Sequence, residues 1–223
     1  MSSLEELLEA AAVERTLAAK LAHFGGLVLD ANRQFNLTAA KDASELAGHL
    51  VDSLTVVKYV REPYVDVGSG AGFPAIPAAL ARGAAPTMIE SNGKKARFLQ
   101  MALERLELQG RVLAERAESL AHLPEFRERF ASATGRAIGS AATVAELLLP
   151  LLEPGGAAIL QRGTLAAQER RALEDAALML GGNVEAQLEL GGNRRLILLR
   201  KSGATPKRFP RRAGIPAKRP LCS

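Results

Sequence analysis

A glycine-rich turn is the segment of this sequence best suited to hold a ligand. Glycines occur at positions 68, 70 and 72, between the short apolar segment Tyr64–Val67 and a helical pattern that begins at position 75. Because glycine has no Cβ, the backbone can turn sharply there and a ligand can lie against it. The spacing differs from the G-x-G-x-x-G of dinucleotide-binding proteins, and no Gly-Lys-Ser/Thr follows as in a P-loop. Among the common users of such turns, S-adenosylmethionine remains.

An acidic residue follows the glycine turn at the end of the next predicted strand, where it could bind a ligand held by the turn. Glu90 closes the second predicted strand, 18 residues after Gly72. In sheets of this kind, a carboxylate at that place accepts hydrogen bonds from ribose hydroxyls. These residues therefore predict a binding site for S-adenosylmethionine that is formed by the glycine turn and Glu90. A tight turn without a ligand, beside a surface glutamate, is the alternative that these residues leave open.

The elements that would position these residues alternate between strands and helices. Residues 3–58 have helical periodicity, and the alternation begins after Pro63. The predicted strands cover 64–67, 86–90, 111–114, 130–134, 156–161, 183–190 and 194–200, and the predicted helices cover 75–82, 93–108, 119–128, 140–150 and 164–181. Such alternation indicates a parallel sheet with helices on both faces and a ligand at the carboxyl ends of the strands. Gly191-Gly192-Asn193 predicts a hairpin, so the final strand should be antiparallel.

The composition is that of an ordinary globular protein. The chain has 223 residues, of which 24% are charged and 48% hydrophobic, and this excludes a wholly disordered or collagen-like chain. The only cysteine, Cys222, excludes an intramolecular disulfide and a multi-cysteine metal site, and we expect no metal. No apolar run approaches the length of a transmembrane helix, and the N-terminus is acidic where a signal peptide would be basic. We expect a soluble cytoplasmic protein.

The positive charge is concentrated at the C-terminal end. The formal net charge is +5, but the segment from Arg200 to Ser223 contains eight basic residues and no acidic ones, which leaves about −3 on the rest. Four prolines and Gly214 exclude a long helix in this tail, so we expect an extended segment laid over a surface. A basic cluster of this kind usually meets phosphate, although a tail that only aids solubility is the plainer interpretation.

Several segments, spread over nearly the whole chain, together carry a resemblance to a known family. They are Asn36-Leu37-Thr38, His49 to Leu54, Asp66 to Pro77, Ile89 to Leu99, Arg116-Ala117-Glu118, Gly135-Arg136-Ala137, Leu149 to Gly156 and Pro210 to Lys218. Together they resemble the guanine-N7 methyltransferases of bacterial 16S ribosomal RNA, also called RsmG or glucose-inhibited division protein B. The resemblance implies an α/β fold, a Rossmann-like class I S-adenosylmethionine-dependent methyltransferase sheet with an N-terminal helical extension. We divide the chain into that extension (1–60), the methyltransferase domain (61–203) and a basic tail (204–223).

The resemblance implies roles for particular residues. Gly68 and Phe73 fall on methyl-donor positions of the family, Ala117 and Glu118 border the donor's adenine, and Arg136 falls on its active-site arginine. Arg136 is thus the predicted catalytic residue, with three roles open: orienting the guanine, holding its phosphate, or hydrogen-bonding its O6. The predicted donor-binding residues are Gly68, Gly70, Gly72, Phe73, Glu90, Ser91, Asn92, Ala117, Glu118 and Arg136. The implied cofactor is S-adenosyl-L-methionine.

The implied chemistry needs no general base. N7 of guanine has a free lone pair, so no proton must leave before it attacks a methyl sulfonium, and catalysis should come chiefly from alignment. His49 is therefore expected to pack or to form hydrogen bonds. Methylation of a pyrimidine at C5 would need a cysteine nucleophile, which Cys222 in the tail is not placed to provide.

The resemblance implies that the partner is 16S ribosomal RNA or the small ribosomal subunit. We expect the chain to bind it as a monomer, and we expect no membrane partner. Because the chain has no tryptophan, binding should depend on charge and on the shape of the RNA. The predicted RNA-binding residues are Lys94, Lys95, Arg97, Arg162, Lys207, Arg208, Arg211, Arg212, Lys218 and Arg219. Three alternatives stay open at this point: a methyltransferase acting on another RNA or on protein, an RNA-binding assembly factor with a disused donor site, and a nicotinamide oxidoreductase.

Overall fold

The computed structural model describes residues 2–222 and contains one seven-stranded sheet. The strands are β1 (Tyr64–Val67), β2 (Thr87–Ile89), β3 (Arg111–Leu113), β4 (Phe130–Arg136), β5 (Leu152–Gly163), β6 (Gly182–Glu189) and β7 (Arg194–Lys201). Their order is β3-β2-β1-β4-β5-β7-β6, with β1 to β5 parallel and β7 antiparallel to both of its neighbours. The predicted parallel sheet and the antiparallel final hairpin are therefore confirmed. The strand order reverses between β1 and β4, where a ligand is expected.

The nine helices of the described residues cover the two faces of this sheet. They are α1 (Leu4–Ala10), α2 (Arg15–Asn32), α3 (Ala43–Leu54), α4 (Ala75–Arg82), α5 (Gly93–Arg105), α6 (Ala117–Leu120), α7 (Ala141–Leu148), α8 (Ala167–Met179) and α9 (Ile215–Lys218). Side chains alternate between faces along a strand, so Tyr64 packs into one apolar core and Val65 into the other. The two cores lie on the two faces of the sheet. A ligand site is therefore expected at the carboxyl ends of the strands and not on a face.

The N-terminal helices pack beneath the glycine turn. Helix α2 buries Phe24, whose ring lies 5.5 Å from that of Phe73 in an edge-to-face arrangement. Helix α3 begins at the N-cap Asp42, whose side chain accepts a hydrogen bond from the backbone N–H of Glu45. Its buried residues include Leu46 and Leu50. These helices thereby support the turn that follows β1, and the division of the chain at residue 60 stays a prediction.

Two predicted elements differ from the structure. The helix predicted over 119–128 is wrong: only Ala117–Leu120 is helical, and residues 121–128 form turns and a bend. Pro124 has no N–H to donate and opposes a longer helix there. The strand predicted over 130–134 extends to Arg136 as β4, which is buried over 130–135 and pairs with β1 and β5. Its position between two strands, rather than the low strand propensity of FASATGR, decides its conformation.

The C-terminal tail is folded onto the protein. Phe209, Pro216 and Leu221 are buried, and the short helix α9 follows Gly214. The tail thus lies over a surface as expected, with turns and one helical turn in place of a fully extended segment. Within residues 2–222, we find no helix that has both the length and the apolar character needed to cross a bilayer.

Candidate functional site

The glycine turn joins β1 to α4 in a conformation that requires glycine. Gly68, Gly70 and Gly72 have φ angles of +68°, +54° and +93°. A Cβ on Gly68 would lie 2.2 Å from Cγ2 of Ile138, and one on Gly72 would lie 2.7 Å from Cδ1 of Ile76. A Cβ on Gly70 would meet only the carbonyl oxygen of Gly68, at 3.8 Å. The first and third glycines therefore allow close packing, whereas Gly70 faces open space in which a ligand can approach the backbone.

A cavity of about 470 Å³ opens above this turn at the carboxyl ends of β1, β2 and β4. Eight of the ten residues predicted to bind the donor line it, namely Gly68, Gly70, Phe73, Glu90, Ser91, Ala117, Glu118 and Arg136. Gly72 and Asn92 do not. Gly72 packs against Ile76 and Phe24, and the Asn92 side chain accepts hydrogen bonds from the N–H groups of Lys94 and Lys95 as the N-cap of α5. The structure thus gives these two residues a supporting position behind the cavity.

Glu90 connects the glycine turn to the end of β2. Its Oε2 accepts a hydrogen bond from the N–H of Gly70 at 2.9 Å, and its Oε1 accepts one from the N–H of Asn92 at 2.8 Å. The residue is buried, yet it lines the cavity. A carboxylate has about four acceptor positions, so two remain for ligand hydroxyls. The arrangement suits the ribose-binding role predicted for Glu90.

Replacing Glu90 with glutamine should weaken donor binding. The amide presents an NH₂ group where the carboxylate accepts hydrogen bonds, and a hydrogen bond to a charged group contributes about 1.5–3 kcal/mol, so we expect a Kd for S-adenosylmethionine about 10- to 100-fold higher. Isothermal titration calorimetry would measure it. Glu104→Gln, on the exposed side of α5, is the control and should bind as the wild type does. A wild-type Kd for Glu90→Gln would refute the role of this carboxylate.

The C-terminal tail supplies one wall of the cavity. Pro216 and Ala217 line it, although neither was predicted to bind a ligand. Two hydrogen bonds fix this wall: Oγ1 of Thr143 donates to the carbonyl of Pro216 at 2.9 Å, and the N–H of Gly214 donates to Oε1 of Glu118 at 2.8 Å. Glu118 thus holds the tail while it borders the cavity.

Arg136 occupies the wall between two cavities. Its Nη2 donates to Nδ1 of His49 at 2.6 Å, and its Nη1 lies 3.4 Å from Oδ2 of Asp52. The guanidinium carbon is 6.0 Å from the ring centre of Phe73, in reach of a cation–π interaction. It borders the cavity above the glycine turn and a second cavity of about 760 Å³. Arg136 is thus placed to contact ligands in both cavities.

Burial and charge keep His49 neutral. Burial lowers the pKa of His49, and the positive charge of Arg136 lowers it further. Its Nδ1 can therefore accept the hydrogen bond from Arg136, with the ring proton on Nε2. Burial also lowers the pKa of Arg136, against the opposing effect of Asp52 and Asp66. His49 thereby fixes the orientation of the arginine, which agrees with the hydrogen-bonding role expected for it.

A buried carboxyl group lies beneath the glycine turn. Asp66 accepts a hydrogen bond from Thr134 at Oδ1, while its Oδ2 has no partner among residues 2–222. Burial raises the pKa of Asp66 to about 7, opposed by the hydrogen bond from Thr134. The folded chain therefore binds this proton more tightly than the unfolded chain, so the carboxyl destabilises the fold increasingly as the pH rises from about 4 towards 7.

The second cavity lies between α3, the end of β5 and the β6–β7 hairpin. Its lining includes Glu45, Gly48, His49, Asp52, Arg136, Gly139, Gln161, Arg162, Asn193, Arg194 and Arg195. Asp52 lies between two of the cations in this lining, with Arg136 at 3.4 Å and Arg194 at 3.6 Å. The wall thus offers both donors and acceptors to a polar, planar occupant.

The residues predicted to bind RNA fall into two groups. Lys94, Arg97, Lys207, Arg208, Arg212, Lys218 and Arg219 are exposed, and Lys95 lines the cavity above the turn. Arg162 and Arg211 instead bind within the protein. Arg162 donates to the carbonyl of Gly139 and to Glu169, and Arg211 forms an ion pair with the fully buried Glu146. These two contacts favour a structural role, because the guanidinium groups already have partners.

Asn32 is a supporting residue that the sequence did not indicate. Its Oδ1 accepts hydrogen bonds from the N–H groups of Leu37 and Thr38, and its Nδ2 donates to the carbonyl of Ala40. This shapes the loop that contributes Leu37 and Thr38 to the first cavity. The Asn36-Leu37-Thr38 segment lies in this loop, but nothing in the sequence connects it to Asn32.

Comparison with known proteins gives consistent matches. Residues 17–198 match the family model described as rRNA small subunit methyltransferase G. The protein named Ribosomal RNA small subunit methyltransferase G from Deinococcus deserti is 40% identical, over 97% of this chain and 96% of that protein. The protein of the same name from Pelotomaculum thermopropionicum is 38% identical over 87% of each chain.

Solved structures agree at the level of the fold. A hypothetical protein of Thermus thermophilus superposes with a TM-score of 0.50 at 26% identity, over 73% of this chain and 89% of that one. A putative O-methyltransferase from Klebsiella pneumoniae superposes with a TM-score of 0.55 at 14% identity, over 81% and 90%. The α/β class I methyltransferase fold predicted from the sequence is confirmed.

Proposed function

The chain belongs to the rRNA small subunit methyltransferase G family, and we propose that it transfers a methyl group from S-adenosylmethionine to N7 of one guanine in 16S ribosomal RNA. Family membership makes it an rRNA methyltransferase. The donor, the guanine and the residues that bind them belong to the proposal. The observation that carries it is the place of Arg136, which borders both the cavity above the glycine turn and the second cavity.

The cavity above the turn fits S-adenosylmethionine by its donor and acceptor groups. Gly70 leaves the backbone open to a ligand, Glu90 has free acceptor positions for hydroxyls, and Phe73 offers an aromatic face 6.0 Å from the guanidinium carbon of Arg136. When bound, this donor supplies a sulfonium methyl group, which N7 takes with its lone pair while the electrons of the carbon–sulfur bond pass to sulfur. Ala117 and Glu118 would hold its adenine end.

The residues around Arg136 align the reactants and need not move a proton. N7 attacks as a free lone pair, so the neutral His49 is required only to orient Arg136. Holding two reactants in line can lower a barrier by up to about 7–11 kcal/mol in the best cases. We propose that Arg136 orients the guanine by donating to O6, the acceptor next to N7 on the base.

The proposed substrate is 16S rRNA, free or within the small subunit, and we expect a cytoplasmic monomer to bind it. The exposed cations of α5 and of the tail, Lys94, Arg97, Arg212 and Lys218 among them, would contact phosphates. Because Arg162 and Arg211 already have carboxylate partners, the proposed RNA surface is smaller than the sequence predicted.

A methyl-transfer assay tests the proposed function. The purified chain is incubated with tritiated S-adenosylmethionine and three acceptors: naked 16S rRNA and small subunits from cells that lack this methylation, and a protein mixture. We expect label in one guanine of the 16S rRNA, recovered as 7-methylguanosine by nucleoside mass spectrometry and located by mapping of the modified base.

Three outcomes would contradict the proposal. Label in protein and not in 16S rRNA would show a different acceptor, and a methylated base other than 7-methylguanosine would show a different atom. Absence of calorimetric binding of S-adenosylmethionine would instead support an assembly factor with a disused donor site.

A further inference from the structure

We propose that Asp52 selects guanine, by accepting hydrogen bonds from N1–H and the 2-amino group of the target base in the second cavity. This inference rests on the proposed function, because it takes the second cavity as the place of the acceptor base. It adds a specificity-determining residue to that reaction.

Asp52 is held in place at the edge of the second cavity. Its side chain is 14% exposed, and its carboxylate lies 3.4 Å from Nη1 of Arg136 and 3.6 Å from Nη1 of Arg194. Nε2 of Gln161 donates to its backbone carbonyl at 2.7 Å and lies 3.4 Å from Oδ2. A carboxylate fixed from three sides keeps its direction, and it lines a cavity large enough for a base.

The order of groups in the wall matches the order of groups on guanine. The edge of guanine carries N7, then the O6 acceptor, then the N1–H donor and the 2-amino donor. In the protein, the cavity above the glycine turn comes first, then the cation Arg136, and then the anion Asp52. With O6 on Arg136 and N1–H on Asp52, N7 points towards the first cavity. Adenine has a donor at position 6, which would face the cation Arg136, and an acceptor at N1, which would face the carboxylate of Asp52. Both contacts would be unfavourable.

The charge of Asp52 also suits the product of the reaction. When N7 accepts a methyl group without losing a proton, the positive charge passes from sulfur to the guanine ring. A carboxylate fixed at N1–H and the 2-amino group stabilises that charge more than it stabilises the neutral base. Asp52 would therefore raise the rate on guanine as well as the selectivity for it.

Removal of one functional group from the RNA tests the proposal. After the modified base has been mapped, 16S rRNA is assembled by splinted ligation with either guanosine or inosine at that position alone. Inosine keeps N7, O6 and N1–H but lacks the 2-amino group. For the wild type, we expect kcat/KM for inosine to be about 10- to 100-fold lower, the effect of losing one hydrogen bond to a charged group.

The Asp52 variants should lose this preference. Asp52→Ala should bring the guanosine-to-inosine ratio to within about twofold of unity, and Asp52→Asn, which retains a neutral acceptor, should give an intermediate ratio. Glu104→Gln is the control, because Glu104 is an exposed carboxylate that lines neither cavity. It should keep the wild-type ratio.

The outcomes separate this inference from the proposed function. If wild type methylates both RNAs equally, or if Asp52→Ala slows both by the same factor, Asp52 only positions Arg136 and the inference is overturned. If wild type methylates no guanine in 16S rRNA, the proposed function itself has failed. Should Asp52→Ala not fold, the wild-type ratio and Asp52→Asn still decide the question.

Discussion

Replacing Arg136 with alanine should slow methylation of 16S rRNA by about a hundredfold or more, since misplacement of a reactant by about 1 Å can cost that factor. The guanidinium borders both cavities, and three neighbours fix it: His49 at Nδ1, Asp52 at Oδ2 and the Phe73 ring. Without it, O6 of the base has no donor, and the carboxylate of Asp52 loses one of its two cations. The loss should appear in kcat, while the Kd of S-adenosylmethionine should change far less.

Two variants sharpen this test. Arg136→Lys keeps the charge but not the planar fork that can face His49 and the base together, so it should remain well below wild-type turnover. Arg129→Ala is the matched control, because Arg129 is exposed and directly precedes β4, at the end opposite Arg136, and the variant should turn over as the wild type does. Near-normal turnover of Arg136→Ala would show that the assignment is wrong.

The sequence predicted the parts of the fold that local rules decide. Three glycines after a strand allow few conformations, and the structure has them at positive φ, between β1 and a helix that covers the predicted residues 75–82. The alternating elements and the Gly191-Gly192-Asn193 turn likewise predicted the parallel sheet and its antiparallel hairpin. In each case, neighbouring residues in the chain carry the information.

What the sequence could not predict depends on contacts between distant segments. Asp52 and Arg136 are 84 positions apart, and their meeting follows from the packing of α3 against the end of β4. Asn32 shapes the loop at 37–40 through hydrogen bonds that no motif announces. Single-sequence patterns describe faces and turns, whereas a site built from several elements is fixed only when the whole sheet is assembled.

The basic tail shows the same limit for electrostatics. The charge count of the segment from Arg200 to Ser223 predicted a surface for phosphates, but three of its eight cations have carboxylate partners: Arg200 with Glu185 and Lys201 with Glu128, both at the end of β7, and Arg211 with Glu146 in the tail. Lys201 is itself buried. A count of charges cannot distinguish a cation that faces solvent from one that anchors a segment, because the difference lies in the partner.

Replacing Arg211 with alanine should destabilise the protein by about 3–5 kcal/mol, the usual cost of leaving a buried charge without its partner. Glu146 is fully buried on α7, and Arg211 donates to it from Nε and Nη2 at 2.6–3.2 Å, with its backbone N–H at 2.8 Å. Urea unfolding followed by circular dichroism would measure the change. Because the tail walls the donor cavity through Pro216 and Ala217, the variant should also bind S-adenosylmethionine more weakly.

A double variant distinguishes a lost ion pair from a lost side chain. Glu146→Leu combined with Arg211→Leu removes both charges, and since apolar replacement of a buried pair is often neutral, it should be less destabilised than Arg211→Ala. Arg212→Ala is the adjacent control: Arg212 is exposed, so the free energy of unfolding should stay within about 0.5 kcal/mol of wild type while affinity for 16S rRNA falls. If Arg211→Ala instead unfolds at the wild-type urea concentration and loses only RNA affinity, then Arg211 is an RNA contact, and its bond to Glu146 does not hold the tail in place.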